Sequence, residues 1–152
     1  MSNRSVDTVI QGYYCGTSTI VAGATVGTTS DNVEVTGATI DRKGKYSGSV
    51  QIAYKATLAN GETLKFATAY DESDDGGTTW VHTAVALQAA TVASTGLVGA
   101  TAVSGVHQIP ISLAAKENTI RINVTPDLSR AATDTCTQMT TLVLGNSDHN
   151  PI

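Results

Sequence analysis

Four carboxylates crowd one short stretch, at Asp71, Glu72, Asp74 and Asp75. Carboxylates hold hard cations and run acid–base chemistry, so both uses need testing. The run Asp71-x-Ser73-x-Asp75-Gly76 matches the opening of a calcium loop. Such a loop needs a bidentate Glu at its twelfth position and a helix on each side. His82 stands at that position, and the flanks alternate as strands, so a calcium site is not expected. Glycoside cleavage needs two carboxyls facing each other across a substrate, roughly 5 to 10 Å apart. Four acids in one turn do not offer that. His82, His107 and His149 have no metal-ligand spacing and read as solvated or satisfied side chains. No Gly-x-Ser-x-Gly elbow, Cys-x-x-Cys, His-x-x-x-His or phosphate-cradling glycine loop is present. The sequence therefore assigns no catalytic, cofactor-binding or metal residue, and the expected protein is not an enzyme.

The elements around the acidic stretch are strands. Ser73-Asp74-Asp75-Gly76-Gly77-Thr78-Thr79-Trp80 reads as a hairpin turn. Its glycines take positive φ without steric cost, and its Ser and Asp side chains bond backbone N–H groups that the turn leaves open. Trp80, the only tryptophan, is expected to re-enter the sheet as the largest piece of buried apolar surface. Val50, Ile52, Tyr54, Ala56 and Leu58 share one face, alternating with Ser49, Gln51, Lys55 and Thr57. Asn60-Gly61 is a hairpin signal, and Leu64, Phe66 and Tyr70 point inward from the return strand. With a further strand from Thr79 to about Leu87, this predicts three successive antiparallel strands.

Elsewhere the signals are shorter. Val9 to Cys15 is a first strand, 19–29 a weak strand or extended loop, Asp31-Asn32 a turn and Val33-Glu34-Val35 a strand. Gly37 marks a bulge or a close backbone approach. The basic run from Ile40 to Tyr46 reads as a solvated turn. Residues 88–105 are nearly all Ala, Thr, Val, Gly and Ser. They fit a long loop, a small-residue strand pair or a segment exchanged between subunits. Ile109, Ile111 and Leu113 alternate around Pro110, which suggests an edge strand. Ile120, Ile122 and Val124 form another strand, ended by Pro126. A last strand runs from Thr135 to Leu144, with Arg130 to Asp134 as a polar loop before it. About seven to nine strands with no convincing helix predict an all-β fold, an antiparallel, jelly-roll-like β-sandwich. The expected organisation is an N-terminal arm at 1–8, one domain at 9–145 and a C-terminal tail at 146–152.

Composition agrees. Of 152 residues 41% are hydrophobic, but only 5% are aromatic and 14% charged, which suits one Thr- and Val-rich β domain. Few charges leave a bland surface of the kind used in assemblies. The formal net charge of −4, with scattered Lys and Arg, argues against direct nucleic-acid binding. No run of about 18 apolar residues is present, so no membrane span is expected. The first seven residues lack the apolar core of a signal peptide. Cys15 and Cys136 can pair, but two buried free thiols, made in a reducing cytoplasm, are the preferred reading.

Two resemblances follow. The spacing Ser73-x-Asp75-x-Gly77-x-Thr79-Trp80 resembles the Asp-box, a hairpin motif of sialidases that repeats once per propeller blade, away from the catalytic centre. It occurs once here, and the chain is too short for a propeller, so the motif is read as a rigid hairpin tip. The succession 31–35, 37–42, 54–64 and 73–80, with the closing Val143-Leu144-Gly145, resembles the jelly-roll cement, or decoration, proteins of tailed bacteriophage capsids. This resemblance implies a non-enzymatic virion structural protein on the outer capsid surface. It would bind the major capsid protein where subunits meet, as a homo-oligomer, and stabilise the head. Residues 1–8, 88–105 and 146–152 are the candidate contact segments. The alternative is a carbohydrate-binding β-sandwich module of a phage tail fibre or secreted enzyme, though few aromatics are left over for sugar stacking.

Overall fold

Period-two alternation builds the longer strands of the described residues, as the burial patterns of the segments Thr63–Ser73 and Thr119–Leu128 show. A computed structural model describes residues 11–20, 31–42, 45–82, 88–99, 101–113 and 117–147. Nine strands and no helix lie among them: β1 (Gln11–Ile20), β2 (Ile40–Asp41), β3 (Lys45–Leu58), β4 (Thr63–Ser73), β5 (Val81–His82), β6 (Gln88–Thr95), β7 (Thr101–Ser112), β8 (Thr119–Leu128) and β9 (Thr135–Ser147).

The strands divide between two antiparallel sheets, changing sheet at every step except β4 to β5 to β6. One has the order β1-β9-β3-β7; the other has β2-β8-β4, with β5 and β6 both pairing β4 along its remaining edge. β5 is a short hairpin extension. Without it, the strands interleave as in a jelly roll. The fold is therefore the all-β sandwich that the alternation predicts.

The core is what the inner faces place between the sheets. Val50, Ile52, Leu58, Leu142 and Leu144 face Leu64, Phe66, Ile120 and Ile122, all fully buried or nearly so. Phe66 packs against Tyr54, with ring centroids 5.8 Å apart, and against His107 at 6.1 Å. Burial pushes the proton affinity of His107 below that of an ordinary histidine.

Several local expectations change. Asn60-Gly61 does turn the chain, with Gly61 at φ 78° and the Glu62 N–H bonded to the Ala59 carbonyl. However, it joins strands of different sheets. β3 pairs with β7 and β9, and β4 pairs with β8, so the turn is an arch and not a hairpin. Turn residues fix the reversal; distant partners decide the sheet. The strand expected at 79–87 is seen only as β5, since 83–87 lie outside the described residues. Val33-Glu34-Val35 contributes one isolated bridge, Val35 to Val124.

β8 continues through Pro126 to Leu128. The Pro126 carbonyl accepts from the Asn32 N–H, so this residue's missing donor faces away from β4 and breaks no ladder bond there. Arg42 is buried, not solvated; its guanidinium donates to the Glu117 and Lys45 carbonyls. Residues 88–105 contain β6 and the start of β7, which pair in different sheets.

Other expectations hold. A Cβ on Gly37 would lie 2.1 Å from the Ile122 carbonyl oxygen, the close approach that the glycine implied. β7 is an edge strand with Pro110 exposed. Cys15 and Cys136 are buried and free. Cys136 registers with Ile20, five residues along β1 from Cys15, roughly 16 Å away at the strand rise. That exceeds disulfide reach. Residues 1–8 and 148–152 lie outside the described residues.

Candidate functional site

The acidic hairpin connects β4 to β5, with Asp71 opposite His82 and Glu72 opposite Val81. Its tip is organised by Asp75. The Asp75 carboxylate accepts from the Thr79 hydroxyl at 2.7 Å, the Thr79 N–H at 2.8 Å, the Ser73 hydroxyl at 2.7 Å and the Thr78 N–H at 2.9 Å. The Ser73 oxygen in turn accepts from the Gly77 N–H. Gly76 and Gly77 take φ of 73° and 99°, which side chains rarely adopt. The hydrogen bonds from Thr79 lead those that hold the Asp75 carboxyl far below the usual range, against a small opposing effect of burial. Asp75 is thus a permanent acceptor that ties the loop together.

Asp71 plays a different part on the outward face of the same sheet. It is 2% exposed, and burial opposes its ionisation. Three donors outweigh that: Arg121 Nε at 2.5 Å, His82 Nδ1 at 2.6 Å and Asn123 Nδ2 at 3.0 Å. Together with the Arg121 charge they hold the Asp71 carboxyl below the ordinary range. The Arg121 guanidinium also lies 4.2 Å from the Trp80 ring centroid, a cation–π contact. Trp80 is half-buried under this arginine and outside the core, which corrects the expectation that it forms the largest buried surface. The fully buried Phe66 has that place.

This cluster has an acid–histidine pair but no reacting group. Among the described residues, no hydroxyl or thiol is hydrogen-bonded to His82, and Ser73 is committed to Asp75 and Gly77. Burial pushes both the Cys15 and Cys136 thiols up to about 11, so neither is a nucleophile at neutral pH. Glu72, Asp74, Val81 and Glu117 border an open depression of about 240 Å³, in which Glu72 accepts the Glu117 N–H. Among the described residues, no three His, Cys, Asp or Glu side chains are grouped to hold a metal ion. His107 lies against Phe66 on the inner side of the other sheet, far in the register from His82. His149 lies outside the described residues. The Asp71–Arg121–Asn123 cluster is invisible in the sequence, because its members stand about fifty positions apart. The only local hint is the hairpin itself, whose register sets Asp71 opposite His82.

The second candidate is a surface. On the outer face of β1-β9-β3-β7, Ala53 sits in register with Met139 on one side and Val106 on the other. Met139, Val106 and Tyr14 are 46%, 55% and 57% exposed. Around them the outward positions are mainly Thr, Ser and Gln.

The fold has solved counterparts. The VP2 protein of infectious bursal disease virus, in a subviral particle, superposes with a TM-score of 0.51 at 15% identity, covering 96% of this chain and 34% of that one. The structure of the same virus's Gt strain gives 0.49 at 15% identity, covering 96% and 35%. The chain thus spans about a third of the length of these proteins, and the likeness is one of fold. No family model matches the sequence, and no curated protein matches it.

Proposed function

We propose that this chain is a non-enzymatic structural protein of a virus particle. It is of the capsid cement or decoration kind, binding the outer surface where major capsid protein subunits meet and stabilising the head. The observation that carries the reading is the jelly-roll order of the two sheets, together with the likeness of fold, at 15% identity, to VP2 of a subviral particle. Two further observations support adhesion over reaction. The one acid–histidine pair has no reacting partner among the described residues, and one face of the lone Trp is occupied by Arg121. In this reading the protein works as a homo-oligomer at the virion surface, after synthesis in the host cytoplasm. Repetition on a symmetric shell lets many weak contacts act at high effective concentration.

The test is co-sedimentation of the purified protein with empty heads of its source phage. Saturable pelleting at a fixed stoichiometry per capsid subunit is the expected result. No pelleting, with binding to a glycan array instead, overturns it in favour of a sugar-binding module. Turnover of a sialoside that is lost on changing one carboxylate overturns it in favour of an enzyme.

A further inference from the structure

The two outer faces of the sandwich differ in charge. On the five-stranded sheet, acids and bases mix: Asp71 bonds Arg121, and Lys65 registers opposite Asp127. On the four-stranded sheet, the outward-parity positions of the described residues carry two charges, Lys45 and Lys55, and no carboxylate. Neither lysine forms a salt bridge among the described residues. A chain of formal net charge −4 therefore presents one flat face that is neutral at its centre and positive in two places. The size of the face is informative. Four strands about 4.8 Å apart and about 12 residues long cover roughly 800 Å², the share that one partner contributes to a standard stable interface. An open depression of about 230 Å³, lined by Ser47, Ser49, Val143 and Gly145 among others, adds relief at one end.

We propose that the outer face of β1-β9-β3-β7 is the docking surface. Its partner is a flat protein surface, uncharged opposite Ala53, Met139 and Val106 and bearing carboxylates opposite Lys45 and Lys55. The two lysines are ten residues apart on β3, roughly 33 Å, so they demand two separate acidic positions. This assignment rests on the particle-binding reading above. Charge chooses among the occupants. A second copy related by a two-fold axis would bring lysine-only faces together with no acid between them. Two lysines are also too few to hold a nucleic acid backbone or an anionic membrane.

The test uses Met139→Glu and Lys55→Glu on this face and Val92→Glu on β6 of the other sheet, where Val92 is 48% exposed. Each purified variant is first checked for wild-type thermal unfolding, then titrated against empty source heads in the pelleting assay at low and high salt. Met139→Glu and Lys55→Glu are expected to weaken binding about tenfold or more and Val92→Glu less than about twofold; Lys55→Glu also flattens the salt dependence. Wild-type binding by all three variants overturns the assignment and leaves the particle reading standing. Selective loss in Val92→Glu overturns it by moving the contact to the other sheet. Failure of the unmodified protein to pellet removes the particle reading itself, and this inference with it. A wild-type dimer in sedimentation velocity that Met139→Glu converts to monomer shows a second copy on the face, and also overturns the assignment.

Discussion

Asp71 and Asp75 stand four positions apart and do different jobs. Asp75 holds a loop to itself through near neighbours, so its role is legible in the spacing Ser73-x-Asp75-Gly76-Gly77. Asp71 holds two strands together through Arg121 and Asn123 of β8, which no local pattern announces. Its carboxyl lies below the unfolded value of about 3.9, so ionisation is favoured in the fold. Its contribution is therefore present above that unfolded value and is lost as pH falls through the folded one. Asp71→Asn is expected to cost about 1 to 3 kcal/mol at neutral pH, because the partly exposed Arg121 loses its partner. The stability gap between wild type and variant should narrow as urea unfolding is repeated from pH 7 down to about pH 3. A gap that does not change with pH would contradict this role.

The hairpin and the arch show what element-scale reading can reach. Both turns are written in their residues, Gly76-Gly77 and Asn60-Gly61, and both occur where expected. The hairpin pairs its own flanks because Asp71 and Glu72 meet His82 and Val81 across it. The arch does not, because β3 finds β9 and β7 some fifty to a hundred residues away. Non-local pairing of this kind leaves no short-range trace. Trp80 illustrates the same gap: its size suggests the core, while its place beside the tip puts it under Arg121 on the outer face. Trp80→Ala is accordingly expected to cost about 1 to 2 kcal/mol in denaturant unfolding, below the 3 to 5 kcal/mol of a fully buried aromatic. A loss near the upper value would mean that the indole anchors the sandwich and not only the hairpin.

At the scale of the whole molecule, alternation and composition specified a two-layer β protein. They did not specify which strand lies beside which. The interleaving of β1, β3, β7 and β9 with β2, β4, β6 and β8 closes both sheets around one core and leaves two unlike exteriors. Of the acids that drew notice in the sequence, Asp71 belongs to the more charged exterior, where Arg121 and Asn123 satisfy it. The bland exterior carries no motif, and only the registers of β9 and β7 against β3 bring Met139, Ala53 and Val106 side by side. The central claim is that this sandwich works by adhering to a shell through that exterior. An electron cryomicroscopy reconstruction of the source particle tests it most directly. The account predicts sandwich density on the outside of the head at subunit junctions, with the four-stranded sheet turned to the shell. A head with no such density, or one in which these strands form the shell wall itself, would contradict it.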